Sequence, residues 1–193
     1  EAMGIDNIAA REQALTHLVM GELNKNEQVR ILEPLITERL AIISFYIVNV
    51  HYNFVVRLLN DKFGIQTRGG CSCAGTYGHI LLNVDHDTSN HITQQINEGD
   101  YCEKPGWIRA SFHPTTTDTE AKYVVEAINA ITQNISQWSK EYRFNPATGD
   151  FEKQHSNTDY IGLANFNPLA CGDSIGTSTA TLAQGSMLKR LFR

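Results

Sequence analysis

Apolar residues recur along this 193-residue chain at two spacings, and the alternation between them lays out the elements. Ile5, Ile8, Leu15, Leu18, Val19 and Leu23 fall at three- and four-residue steps. They predict a helix over residues 4–24, stopped by Asn24 to Asn26. Val29–Leu32 reads as a short strand and Leu40–Val48, rich in β-branched and aromatic residues, as a stronger one. Helical spacing returns over His51–Phe63, with Phe54, Val55, Leu58 and Leu59 on one face and Gly64 placed to end it. Ile65–Arg68 predicts a third strand, and a helix begins within Ala74–Leu82. The polar stretch Asp85–Tyr101 holds a helical segment at Ile92–Asn97, and Trp107–Phe112 predicts a fourth strand. Thr117–Tyr142 is a long helix capped by Asp118, with Ala121, Val124, Val125, Ile128, Ile131, Ile135 and Trp138 as its apolar stripe.

This order predicts an α+β domain: a small, mostly antiparallel sheet packed on helices. It spans residues 1–144, with the helix at 4–24 as an N-terminal linker. Past Asn145 glycine, serine, threonine and asparagine dominate. N-P-A-T-G-D reads as a hairpin turn between Tyr142–Phe144 and Phe151, and 145–193 reads as an irregular C-terminal extension. Trp107 and Trp138 read as core anchors.

Charge and composition narrow the partners. The net charge of −5 and the lack of a basic stripe argue against nucleic acid. The longest apolar stretch, Leu40–Val50, is too short to cross a bilayer, so no membrane partner is expected. The chain carries no signal peptide and opens into a helix without an initiator methionine, which reads as a piece of a longer protein. Four cysteines (Cys71, Cys73, Cys102, Cys171) are too few and too irregular for a disulfide scaffold, and read as free thiols in a reducing compartment.

The run Gly64–Gly78, G-I-Q-T-R-G-G-C-S-C-A-G-T-Y-G, carries the strongest chemical signal. It sets Cys73 on a glycine-rich loop between a strand and a helix, five residues after Arg68. Glycines give such a loop backbone freedom. A guanidinium and a helix N-terminus both favour the thiolate, which is the nucleophile. The plain alternative is a turn with two small buried cysteines. His79 adds a third candidate metal ligand beside Cys71 and Cys73, but no fourth is evident and no metal site is expected. His51 reads as a cap or packing residue at the start of its helix.

Three segments carry a family resemblance. They are G-I-D-N-I-A-A-R-E-Q-A-L near the N-terminus, I-S-F (Ile43–Phe45) followed by the V-H-Y-N-F through C-S-C-A stretch, and I-R-A-S-F (Ile108–Phe112). In order and spacing, from Ala2 to about Trp138, the chain resembles the C-terminal domain of class V, fold-type I pyridoxal-phosphate enzymes. The likeness is greatest to the cysteine desulfurase and selenocysteine lyase group. The resemblance implies an enzyme acting on a small amino acid, with Cys73 as catalytic nucleophile, Arg68 as the catalytic-loop arginine and Arg109 as the arginine that clamps the substrate carboxylate. Cys71 stands where the family commonly has a histidine and is a candidate second thiol. Asp85–Pro105 looks like an insertion relative to the family.

The same resemblance implies pyridoxal 5'-phosphate as cofactor, held by a large domain that lies upstream of this chain. None of Lys25, Lys62, Lys104, Lys122, Lys140, Lys153 and Lys189 matches the aldimine lysine's context. The chain alone is therefore expected to be inactive and to hold no cofactor. The whole protein is expected to be a cytoplasmic homodimer partnered with its own large domain, a small amino-acid substrate and a sulfur-acceptor protein. Two other readings are an aminotransferase-like enzyme with non-catalytic cysteines and a non-catalytic thiol or metal-binding module.

Overall fold

Amphipathic helices decide this fold, because three of them turn an apolar face toward one side of a sheet. A computed structural model describes residues 4–71 and 76–154 of the chain. They belong to one unit, Glu1–His155; Ser156–Arg193 form another. Cys73, Cys171, the helix start at Ala74 and the 155–193 part of the extension lie outside the described residues.

Helix α1 (Ile5–Leu23) buries Leu15, Thr16, Val19, Met20 and Leu23. Its apolar stripe works only in the second half, because Ile5 is 85% exposed. Strand β1 (Val29–Ile31) and strand β2 (Ile42–Ile47) follow, then helix α2 (Tyr52–Phe63), which buries Tyr52, Phe54, Val55, Leu58 and Leu59. Gly64 ends α2 in the left-handed conformation at φ 67°, which costs a glycine little. Strand β3 (Arg68–Gly70), helices α3 (Thr76–Leu81) and α4 (His86–Asn97), and strand β4 (Trp107–Ser111) come next. Helix α5 (Asp118–Trp138) continues through a short 3-10 turn, Ser139–Glu141, into the hairpin of β5 (Tyr142–Asn145) and β6 (Asp150–Lys153).

The main sheet has the order β1-β2-β4-β3, with all its pairs antiparallel. One face carries Ile43, Phe45, Ile47, Ile108 and Ala110, all buried with α1, α2 and α5 in a single apolar cluster. Each isoleucine or phenylalanine among them contributes roughly 1.5–3 kcal/mol of transfer free energy on burial. The period-two alternation sends the intervening residues, Ser44, Tyr46, Arg68 and Arg109 among them, to the opposite face. The fold is thus the expected α+β arrangement of a small antiparallel sheet on helices.

Several local expectations shift. Thr117, not Asp118, caps α5: its hydroxyl accepts from the Glu120 amide, and the Glu120 carboxylate returns a bond to the Thr117 amide. Asp118 instead pairs with Arg11 at 2.7 Å. The third strand forms at Arg68–Gly70 rather than Ile65–Arg68. The segment read as an insertion is largely α4, which starts well before Ile92 because the Asp85 carboxylate caps it through the Thr88 amide. The hairpin after Tyr142 forms, and Phe151 from β6 stacks on Phe54 of α2 at 4.7 Å.

Candidate functional site

Arg109 is held in the middle of β4, flanked by buried Ile108 and Ala110. Its cross-strand neighbours are Ser44 on β2 and Arg68 on β3. Directly opposed residues of an antiparallel pair have Cβ atoms about 4.5–5.5 Å apart, so two guanidinium stems rise side by side. Like charges so placed repel unless something neutralises them. Among the described residues neither arginine pairs with a carboxylate. Arg109 Nε is buried and makes no hydrogen bond. Such a pair attracts an anion, and a carboxylate can satisfy a guanidinium fork through two bonds at once.

The strand carrying Arg68 runs straight into the cysteine loop. Gly69 and Gly70 leave room for the Tyr52 ring at the start of α2, and Gly106 closes on that ring from the neighbouring strap. A Cβ on Gly69 would lie 2.8 Å from Tyr52 Cδ2, and one on Gly106 would lie 2.6 Å from Cδ1 and Cε1. The ring is thus clamped between two backbones, and its burial pushes the Tyr52 hydroxyl up to about 12, with Cys71 and Asp150 adding to the effect.

Cys71 follows β3 directly and is half-buried. Its Sγ–H donates to the Pro105 carbonyl at 2.9 Å. Burial pushes the thiol up, against the pull of Lys104. Cys71 is therefore held as a thiol near neutral pH, a poor nucleophile. Cys73, two residues on, lies outside the described residues.

His51 performs both of the roles expected of it. Its Nδ1 accepts from the Asn53 amide at 3.2 Å as the α2 cap, and its ring stacks on Tyr52 and tilts against Phe144 and Phe151. Burial lowers its pKa from 6.5, the Tyr101 backbone opposes this, and Lys104 reinforces it. His79 bonds Ser89 through Nδ1 at 2.6 Å. Among the described residues no group of three or more histidine, cysteine, aspartate or glutamate side chains could hold a metal, and no helix is long and apolar enough to cross a membrane.

Three of the described lysines are engaged with other side chains. Lys25 pairs with Glu22, Lys62 pairs with Glu141 and covers the Trp138 ring, and Lys104 lies over the Tyr101 ring. Lys122 and Lys153 are exposed, as is Lys140 in the turn before β5. Lys189 lies outside the described residues.

Two parts of this site escaped the sequence reading, Tyr52 and the strap at Tyr101–Gly106; the sequence predicts the hairpin but not its contact with the strap. The Pro105-Gly106 pair just before a strand was the available signal, since a glycine there marks a close backbone approach. A cleft of about 550 Å³ lies elsewhere, between Asn53–Asn60 on α2, Gln66–Thr67 and Asp150–Glu152. It does not include the arginine pair.

The family model described as aminotransferase class-V matches residues 1–124. A probable cysteine desulfurase from Halobacterium salinarum is 28% identical over 131 residues, covering 68% of this chain and 26% of that protein. The crystal structure of the cysteine desulfurase CsdA (S-sulfonic acid) from Escherichia coli aligns with a TM-score of 0.47 at 21% identity, covering 67% of this chain and 26% of that one. The chain thus spans about a quarter of the length of the curated relative it matches.

Proposed function

This chain belongs to the aminotransferase class-V family, a family of pyridoxal-phosphate enzymes, and we propose that it is the substrate-clamping and cysteine-bearing part of a cysteine desulfurase- or selenocysteine lyase-like member. The reading rests on one observation above the others. Arg68 and Arg109 stand opposite each other on the open face of the sheet with no carboxylate partner among the described residues.

Arg109 binds the α-carboxylate of a small amino-acid substrate through its guanidinium fork. The buried Nε lacks a partner and is oriented by the strand rather than by a loop, so little freedom is lost on binding. Arg68 adds a second positive charge to the same face and leads the chain into the loop. Cys73 is the thiol that attacks the substrate's sulfur: an S–S bond forms as the substrate's Cβ–S bond breaks, the bonding pair stays with the substrate carbon, which takes up a proton, and the desulfurated amino acid leaves. Its partner two residues earlier does not compete, because Cys71 is half-buried, bonded to Pro105 and held protonated. The cofactor belongs to parts of the protein other than the residues described, which offer it no lysine.

The test uses the longer protein that contains this chain, incubated with cysteine and analysed by mass spectrometry of the peptide carrying both thiols. A persulfide is expected on Cys73, lost in Cys73→Ser and retained in Cys71→Ser. A persulfide that persists in Cys73→Ser, or fails to form in the unaltered protein, removes this reading.

A further inference from the structure

We propose that the β5–β6 hairpin is a positioning element for the cysteine loop, acting through Tyr101 and the Pro105 carbonyl. The hairpin lies beyond residues 1–124 that match the family model, yet it is built into the wall of the site. Its strands are anchored on α2: Phe151 stacks on Phe54 at 4.7 Å, and Tyr142 meets the same ring edge-on at 5.5 Å. That anchoring alone would hold the hairpin in place.

The turn of the hairpin makes further contacts that strand anchoring does not require. The Tyr101 amide donates to the Pro146 carbonyl at 3.0 Å. Asn53 Nδ2 donates to the Gly149 carbonyl at 2.6 Å. Gly149 has φ 71°, and a Cβ there would approach Tyr101 Cβ to 3.1 Å. The turn therefore presses against Tyr101 with no space for a larger residue.

Tyr101 opens a tight turn that ends at the thiol. The Lys104 amide donates to the Tyr101 carbonyl at 3.3 Å, and Lys104 Nζ lies 5.1 Å from the centre of the Tyr101 ring. The next carbonyl, that of Pro105, receives the Cys71 thiol. Gly106 then locks against Tyr52, so the strap is held by the hairpin turn at Tyr101 and by the Tyr52 ring at Gly106. Cys71 is the last residue before the 72–75 segment. Where Pro105 holds Cys71 therefore sets where the chain enters the stretch containing Cys73. Loosening the hairpin turn frees Tyr101, shifts the Pro105 carbonyl and releases the Cys71 thiol into water. The use of this device rests on the desulfurase-like reading; the coupling itself does not.

The coupling is read on Cys71 in the chain itself, by iodoacetamide labelling and peptide mass spectrometry across pH 6.5–9.5, with the exposed Cys102 as internal reference. Gly149→Val pushes directly on Tyr101. Phe151→Leu keeps an apolar plug but loosens the hairpin from Phe54, and serves if the first variant does not fold. Arg143→Ala alters an exposed hairpin residue away from the turn. In whichever of the first two variants gives a native circular dichroism spectrum, the Cys71 rate relative to Cys102 is expected to rise by about fivefold or more, and the midpoint of its pH profile to fall, because burial no longer raises the thiol. Arg143→Ala leaves both unchanged. A ratio and midpoint unaltered in the folded turn variants, or an equal rise in Arg143→Ala, overturns the proposal. In the longer protein, the absence of any Cys73 persulfide in the unaltered sequence would defeat the functional reading while leaving this labelling result standing.

Discussion

Adding a single methyl group at Gly106 tests the clamp around Tyr52 more sharply than any charge change. In Gly106→Ala the new Cβ would lie 2.6 Å from Tyr52 Cδ1 and Cε1 and 2.9 Å from the Gly70 Cα. The ring has little room to retreat, because the Gly69 backbone lies so near its other edge that a Cβ there would fall 2.8 Å from Cδ2. The Gly70 contact is backbone, so it cannot rotate away either. Overpacking of a confined site typically costs 1–3 kcal/mol, and with both neighbours fixed the cost here is about 2–3 kcal/mol. For a unit of this size that lowers the melting temperature by roughly 4–12 °C. The matched control is Gly21→Ala. Gly21 lies in α1, and its added Cβ meets nothing within 4 Å. Removing a helical glycine there should stabilise the unit by about 0.5–1 kcal/mol and raise the melting temperature by roughly 1–4 °C. Both are read by thermal unfolding of the chain under identical conditions, with the Cys71 labelling rate as a local probe. A Gly106→Ala protein melting within about 1 °C of the parent would refute the clamp. So would a Gly21→Ala protein that falls as far as Gly106→Ala.

Three other perturbations have defined signs. In the longer enzyme, Arg109→Ala should lower kcat/KM by about 30- to 1000-fold, the effect of losing roughly 2–4 kcal/mol of charge-assisted bonding, and Arg109→Lys should recover little of it; steady-state kinetics within about threefold of wild type would make Arg109 structural. His51 has a pKa lowered by burial from 6.5, so the unfolded chain takes up the proton first; the stabilisation is complete above that value and is lost as pH falls through the lower folded pKa. Urea midpoints should therefore drop more between pH 7.5 and 5.5 in the parent than in His51→Asn, which keeps a capping side chain but does not titrate, and parallel drops would discard the assignment. Thr117→Ala should cost about 1 kcal/mol in urea unfolding whereas Thr117→Ser stays near the parent, and equal losses in both would show that the hydroxyl does not cap α5.

Elements whose burial follows one period were legible from residues alone. Helix α2 could be read from Phe54, Val55, Leu58 and Leu59 because each is buried against the sheet and nothing competes with that pattern. The α5 start was displaced by one residue because Thr117 and Asp118 are both good caps; the Glu120 carboxylate, three residues after Thr117, decides between them. Helix α4 was half-hidden because it buries only Ile92, so its start depends on the Asp85 cap rather than on periodicity. Strand β3 moved onto two glycines of poor strand propensity, since the Tyr52 ring leaves no room for a Cβ at Gly69 and Gly70 has φ 109°. The face on which Arg109 stands is set by the alternation along β4. Its pairing with Arg68 required the sheet order, which no local pattern carries.

That sheet order also governs how the protein can be made. The central pair joins Ile42 to Ser111 and Phe45 to Ile108, so β2 is synthesised long before its main partner exists. Until β4 emerges, β2 has only the three-residue β1 at its side, and the apolar face of Ile43, Phe45 and Ile47 lacks half of its sheet. Closing so long a loop is entropically slow, and contacts this distant in sequence place folding toward the millisecond-to-second end of the range. On the ribosome, the arginine pair can form only after α2, the cysteine loop and α4 have all been translated, so the face that carries it appears in one late step.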